Sequence, residues 1–351
     1  MRKTIGQSCV LARTAAAVGA LSLLLIVQSA LAQPADDFFR GKRLTLVSSS
    51  AVGGGYDQYA RLLAKHMGRH IPGEPAITVQ NMVGAEGIRA ANYLYTVAAQ
   101  DGSVFGGVSR NIGLVSLYEP GNTAIQFDAH KFFWLGSPQQ EVGLAIVAAK
   151  TGLRTLDDLR GREVTASSTA RNAPTSIYPR LLNALYGTRI KVIEGYDGSP
   201  AALIAFERGE VEAYVSGGLS AATLARIEPW LKDGSARAFL QMGMTRGRAF
   251  PDVPTAIEAM AAPDHKRVFE IVFTDQVMGR PFVLPPGVPA ERVRALRAAF
   301  DATMRDAAFL AEAKAQKMDI DPIAGSEINA LLERVYSSPP GVIERVRELV
   351  K

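Results

Sequence analysis

Three glycines in a row, Gly53, Gly54 and Gly55, follow Ser48 and Ser49 at the end of an apolar run (Leu44 to Val47) and precede Tyr56 and Asp57 at the head of an amphipathic run to Met67. A strand that turns through glycine into a helix presents backbone N–H groups with no acceptor of their own, at the positive end of the helix dipole. The turn is therefore suited to a carboxylate or another anion. Gly84-Ala85-Glu86-Gly87 follows the run Ala76 to Asn81 in the same way. Glu86 is discordant there, because a carboxylate in an anion loop repels the ligand unless it pairs with an arginine or meets a cationic or hydroxyl group. More polar residues stand where other strand-like runs end: Ser109, Arg110 and Asn111; Ser167, Ser168, Thr169, Arg171 and Asn172; Tyr196, Asp197 and Ser199; and Ser216. A guanidinium in such a place can hold a carboxylate bidentately, which makes Arg110 and Arg171 candidate anchors, one from each half of the chain.

Other chemistries lack their residues. No G-x-x-x-x-G-K-[ST] occurs, and the Gly53 turn lacks the third glycine of G-x-G-x-x-G, so no nucleotide site is expected. His66 and His70 are four apart, but no Glu follows His66, Gly68 weakens the helix between them and Ile71-Pro72-Gly73 ends it. They are expected as solvated helix-end cations, with no metal and no cofactor. Ser167, Ser168 and Ser216 lie in neither G-x-S-x-G nor S-x-x-K. Binding is the expectation; a secreted hydrolase using a loop serine is the enzyme alternative.

The elements that must position these residues begin after a leader. Arg2, Lys3 and Arg13, an apolar run from Ala15 to Val27, and Ala30-Leu31-Ala32 before Gln33 have the layout of a secretory signal peptide over residues 1–32, too short to span a membrane. Cys9 lies within it, so the remainder is cysteine-free and makes no thiol chemistry. Removing those three of 39 basic residues leaves 36 against 34 acidic ones, a net charge of +2, which is no nucleic-acid surface. The remaining 319 residues (351 minus 32) suffice for two lobes.

Strand-like and helical runs alternate along the chain, the pattern of a parallel α/β sheet. Strands are expected at Leu44–Ser48, Ala76–Asn81 and Ser103–Val108, with helices at Tyr56–Met67 and Ile88–Val97. A second series has strands at Gly143–Ala149, Glu163–Ala166, Lys191–Glu194, Val211–Val215 and Arg237–Met242. Its helices are a short one at Thr155–Leu159 with Asp158 in capping-box position, one ending at Tyr186 and one at Pro200–Arg208. After Pro285-Pro286-Gly287 the tail reads as helices only, at Ala290–Met304, Ala307–Lys317, Ser326–Tyr336 and from Gly341, which should clamp onto an existing lobe. The expected division is 33–138 for lobe 1, 139–264 for lobe 2, and 265–351 returning to lobe 1.

These residues resemble a known family. Gly53-Gly54-Gly55-Tyr56-Asp57-Gln58-Tyr59-Ala60-Arg61 is similar to the GGxxDxxAR loop and helix of the tripartite tricarboxylate transporter receptors, the Bug or TctC-like periplasmic solute-binding proteins. Asn81 to Gly87 resembles their N-x-x-G-A-G-G loop, and Asp101-Gly102 their DG turn. Tyr196 to Ala201 resembles Y-x-G-x-x-A, Gly209 to Glu212 G-x-V-D, and Phe250 to Thr255 their PDVPT segment. The resemblance covers nearly all of the chain after the leader. It implies a two-lobed type II periplasmic-binding (Venus-flytrap) fold, a small carboxylate ligand and delivery to membrane transporter subunits from the periplasm, by a monomer. The same cleft would also suit a receptor that presents its ligand to a membrane sensor kinase. Carried over, Ser48 to Asp57 and Gly84 to Gly87 would hold a carboxylate from the first lobe, and Ser167 to Asn172 with Tyr196 to Ser199 would close from the second. Glu86, where the family usually has glycine, and Ser48-Ser49-Ser50-Ala51-Val52, in place of an apolar, proline-containing approach, put the usual dicarboxylate in doubt.

Overall fold

The computed structural model describes residues 38–351 except Asn172. The leader and Cys9 lie outside the described residues. The fold is mixed α/β with two sheets. The first has six strands: β1 (Arg43–Ser48), β2 (Ala76–Asn81), β3 (Val104–Gly107), β4 (Phe133–Ser137), β10 (Phe282–Leu284) and β11 (Ile323–Ala324), in the order β11-β4-β10-β3-β1-β2. The second has β5 (Gly143–Ala148), β6 (Val164–Ser167), β7 (Ile190–Ile193), β8 (Ala213–Val215) and β9 (Ala236–Met242), in the order β7-β6-β8-β5-β9.

Neither sheet is wholly parallel, contrary to expectation. β1 pairs parallel with β2 and β3, and β6 with β7 and β8, but β10 runs antiparallel to both its neighbours and so does β5. The cause is topological. β5 and β10 are the strands on which the chain enters each lobe from the cleft, so they run away from it. The parallel strands run toward it and deliver their carboxyl ends there.

The helices that follow are α1 (Gly55–Met67), α2 (Ile88–Thr96), α3 (Pro174–Tyr186), α4 (Gly198–Glu207), α5 (Ala221–Lys232), α6 (Pro263–Met278), α7 (Ala290–Thr303), α8 (Ala307–Ala315), α9 (Gly325–Tyr336) and α10 (Pro340–Val350). α1 buries Tyr59, Ala60, Leu62, Leu63 and Met67, a stripe at helical spacing, against the buried Leu44 and Leu46 of β1. The expected capping box forms ahead of the short helix Asp158–Gly161: Thr155 N donates to Asp158 Oδ2 at 2.9 Å and Asp158 N to Thr155 Oγ1 at 3.4 Å. The tail is not purely helical, since β11 lies between α8 and α9 and extends the first sheet. α7 and α9 pack on β4, and α7 and α8 on α1, all in the first lobe. α10 instead lies against α6 and α3 and so touches the second lobe.

Two stretches join the sheets: Pro138–Val142, from β4 to β5, and the return from β9 to β10, which carries α6 and ends in Gly279–Pro281. They run in close contact: a Cβ on Gly279, which has φ +42°, would stand 2.0 Å from Gln139 O. Glu141 N donates to Gln276 O at 2.9 Å, which ties the outgoing segment to the end of α6. Among the described residues no helix is long and apolar enough to cross a membrane.

Candidate ligand-binding cleft

A cavity of about 780 Å³ opens between the lobes. Its first-lobe wall is Tyr56 from α1, Ala85, Glu86 and Ile88 from the turn after β2, and Ser109, Arg110 and Asn111 from the turn after β3. Facing these are Pro174, Ile177 and Tyr178 on α3, and Val272 and Asp275, three apart on one face of α6. A smaller cavity of about 340 Å³ shares Arg110 and Pro174 and continues to Thr169, Ser199, Tyr214 and the Gly217–Ser220 turn.

Arg110 stands where the cavities meet. Its guanidinium pairs with Glu141 of the crossing segment, whose other oxygen takes Arg280 Nη2 at 3.1 Å. Burial works against the Arg110 charge, but Glu141, with Tyr56, Tyr178 and Asp275 adding to it, outweighs that and holds the guanidinium firmly protonated. Arg280 lies 4.6 Å from the centre of the Tyr56 ring, and Tyr56 Oη accepts from Arg110 N at 3.2 Å. One carboxylate thus bridges two cations, Arg110, which the sequence offered to a ligand, and Arg280, which it did not.

Asp275 has the opposite environment. Its Oδ1 is sealed from solvent with no hydrogen-bond partner among the described residues. Burial pushes its carboxyl up to about 7, the Arg110 charge offsetting only part of that. Burial likewise raises the phenols of Tyr118 and Tyr178 beside it.

The glycine turns differ from each other. After β2, Gly84 (φ +148°), Ala85 (+45°), Glu86 (+50°) and Gly87 (+96°) all have positive φ, two of them without glycine's freedom. A Cβ on Gly87 would stand 2.7 Å from Ser109 Oγ, so the two first-lobe turns meet there. Among the described residues the N–H groups of Gly84, Ala85 and Glu86 have no acceptor. Near the Gly53 turn, Asp57 is fully buried: Oδ2 accepts from Gly53 N and Arg61 Nε, each at 2.8 Å, and Oδ1 from Asn81 Nδ2 at 2.6 Å. Although its burial opposes this, those bonds from Arg61, Gly53 and Asn81 hold the carboxyl below its ordinary range.

A TctC solute-binding protein from Polaromonas superposes with a TM-score of 0.67 at 19% identity, covering 88% of this chain and 98% of that one. The chain has the TctC/Bug fold. The periplasmic binding protein BugD superposes with a TM-score of 0.52 at 16% identity (89% and 98% covered). MatC from Rhodopseudomonas palustris, with bound malate, gives 0.50 at 20% (89% and 100%). In sequence, a UPF0065 protein of Bordetella bronchiseptica is 26% identical over 255 residues, 68% of this chain and 70% of that protein. No protein-family model matches the chain. Fold and relative together bear out the resemblance to the TctC/Bug proteins that the loop motifs carried.

Within this TctC/Bug-like cleft the sequence-derived candidates separate. Tyr56, Ala85, Glu86, Ser109, Arg110 and Asn111 line the larger cavity, and Thr169 and Ser199 the smaller. Gly87 is buried beneath Ser109. Ser48 and Ser49 are buried under the first turn, and Gly53, Gly54 and Gly55 sit at its rim, where a Cβ on Gly55 would come within 3.9 Å of Arg280. Asp57 is a structural tie, not a cavity residue. The hydroxyls of Ser167 (to Ala202 O, 2.6 Å), Ser168 (to Ala170 O, 3.1 Å) and Ser216 (from Leu144 N, 2.8 Å) are likewise engaged inside the second lobe. Tyr196 packs against the second lobe's outer core, and the neighbouring Asp197 is exposed outside both cavities. Arg171 is exposed and lines neither cavity itself, but it donates at 3.2 Å to the main-chain oxygen of Lys351, which lines the larger one. Asn172 lies outside the described residues.

The histidines are not solvated. His66 is buried and bonded to Glu312 at 2.7 Å, and His70 to Asp306 at 2.9 Å, so α8 docks on α1 through both. Among the described residues no cluster of His, Cys, Asp and Glu could hold a metal. Sequence reasoning missed Glu141, Arg280, Tyr178 and Asp275. The Gly279-Arg280-Pro281 breaker was the one local signal of a crossing point.

Proposed function

We propose that this protein is a periplasmic solute receptor. It would capture a small organic acid or related polar metabolite between its lobes and deliver it to a tripartite tricarboxylate-type membrane transporter. The observation that carries this reading is the 780 Å³ cavity walled from both lobes, lined on one side by Ala85 and Glu86, whose N–H groups have no internal acceptor among the described residues. A ligand touching both walls favours the closed arrangement by its differential contacts, which is how such a receptor signals occupancy. The malate carried by MatC supports an acid as ligand. Binding, not turnover, fits the second-lobe serines, whose hydroxyls are bonded internally and, among the described residues, to no histidine, lysine or carboxylate.

The test is calorimetric titration of the purified protein with mono- and dicarboxylates, amino acids and amides. Saturable heat with at least one class is expected, and silence across the whole panel would sink the receptor reading. Pull-down of the ligand-loaded form by membranes containing the transporter subunits tests delivery.

A further inference from the structure

Each sheet has two edge strands, and β2 differs from the other three. β11 is only two residues long, and β7 carries the exposed Lys191. β9 carries Arg237 and is covered where Gln241 pairs with Thr255. Shortness, charge and cover are the usual ways in which a sheet edge avoids pairing with another chain. β2 has none of them. Its six residues, Ala76-Ile77-Thr78-Val79-Gln80-Asn81, include no charge, proline or bulge, and Ile77, Thr78 and Val79 are β-branched. The strand pairs with β1 alone, and Met82 N donates to Ser48 O at 2.8 Å, which sets the parity of the ladder. Thr78, Gln80 and Met82 therefore turn their backbone groups toward β1. Those of Ile77, Val79 and Asn81 turn outward, where they have no partner among the described residues.

We propose that β2 is an interface for a second copy of this chain, paired antiparallel across a two-fold axis at Val79 so that the two six-stranded sheets become continuous. Parity restricts the register, because outward residues must face outward residues. With Val79 opposite the partner's Val79, Ile77 faces the partner's Asn81, and every one of these residues has an N–H to donate. A slide one way would set Asn81 against the partner's Pro75, which has none; a slide the other way would carry the pairing past the strand to Val83, where the chain turns at Gly84. In the favoured register Glu74 falls opposite the partner's Gly84, and a Cβ on Gly84 would stand 3.2 Å from the Arg89 side chain. Glu74 and Arg89 are both exposed and, among the described residues, neither has an ion-pair mate; the axis supplies one to each. Val83, 51% exposed, falls opposite the partner's Pro75 and gains an apolar neighbour. No like charges meet along the pairing. Since β2 runs toward the cleft, the two clefts would open at opposite ends of the joined sheet. None of Glu74, Ala76 to Asn81 and Arg89 lines either cavity, so this interface is separate from the receptor reading.

The test is sedimentation equilibrium of the purified protein over a wide concentration range, and a reversible monomer to dimer equilibrium is expected. Val79→Pro removes only an outward N–H and spares the ladder to β1, so it should keep the circular dichroism of wild type and sediment as a monomer. Glu74→Arg and Arg89→Glu each set like charges together on both sides of the axis. Either alone should weaken the dimer about tenfold, and the double variant should recover it. These two surface changes decide the matter should Val79→Pro fail to fold. The proposal is overturned if wild type is a monomer at every concentration, if folded Val79→Pro dimerises as wild type does, or if the charge reversals leave the dimer constant unchanged. A solution monomer that loses membrane delivery on Val79→Pro would give the edge to a transporter subunit and overturn pairing between copies. None of these outcomes touches the receptor reading, which calorimetric titration with carboxylates tests on its own.

Discussion

Two aspartates on helix ends show how differently one residue type is used in this fold. Asp57 lies in the first turn of α1, at the positive end of the dipole, with Gly53, Arg61 and Asn81 on its oxygens. Asp275 lies in the last turn of α6, at the negative end, with no donor on its sealed oxygen. The first is part of the scaffold that shapes a loop. The second is left uncompensated by the fold, and its local environment opposes its charge.

The comparison breaks most visibly at Asp57. Asp57→Ala strands the Gly53 N–H, Arg61 and Asn81 at once and should cost about 3 kcal/mol in urea unfolding at pH 7. A carboxyl held below its ordinary range contributes stability above its unfolded pKa and loses it as pH falls through the folded value. The gap between wild type and Asp57→Asn should therefore close in acid. Asp275→Asn should act with the opposite sign. An aspartate raised to about 7 binds an extra proton in the folded state between about 4 and 7, so wild-type stability falls across that range and stays low above it. The unliganded variant should be more stable than wild type by on the order of 1–2 kcal/mol at pH 8 and equal to it near pH 4, read by thermal unfolding. Equal behaviour at both pH values would show that Asp275 is not desolvated. Glu86→Gly sharpens the contrast from the rim: relief of a left-handed backbone should stabilise the protein by about 0.5–1 kcal/mol in the same assay. Arg171→Ala, exposed and outside both cavities, should shift unfolding by less than about 0.5 kcal/mol and leave ligand affinity unchanged, unlike Arg110→Ala.

Much of the scaffold was legible from the chain alone. β2 falls on its expected residues, and β1, β6 and β9 begin or end within a residue of theirs, because apolar β-prone runs there are bounded by turn formers. β10 and β11 escaped because strands of three and two residues have no period to detect. α6 escaped for another reason. It is buried on several faces at once, Phe269, Ile271, Val272, Phe273 and Gln276 among them, so it lacks the single apolar stripe of a surface helix. The site divides in the same way. Turn residues such as Glu86 and Arg110 could be placed because they follow strands. Asp275 and Glu141 could not, because their role comes from what the two lobes bring against them and not from their neighbours in sequence. Arg110 and Arg171 looked equivalent at strand ends, and only tertiary structure separates the cleft arginine from the exposed one.

The antiparallel entry of β5 and β10 also sets an order of assembly. Every strand of the second sheet lies between residues 143 and 242, so that sheet is complete in a growing chain before α6 has been made. The first sheet, begun at residue 43, lacks an interior strand until 284 and an edge strand until 324. The half of the protein synthesised first is thus the half finished last. Until then β3 and β4 have no β10 between them, leaving two open edges that invite mispairing and that a holding chaperone could cover.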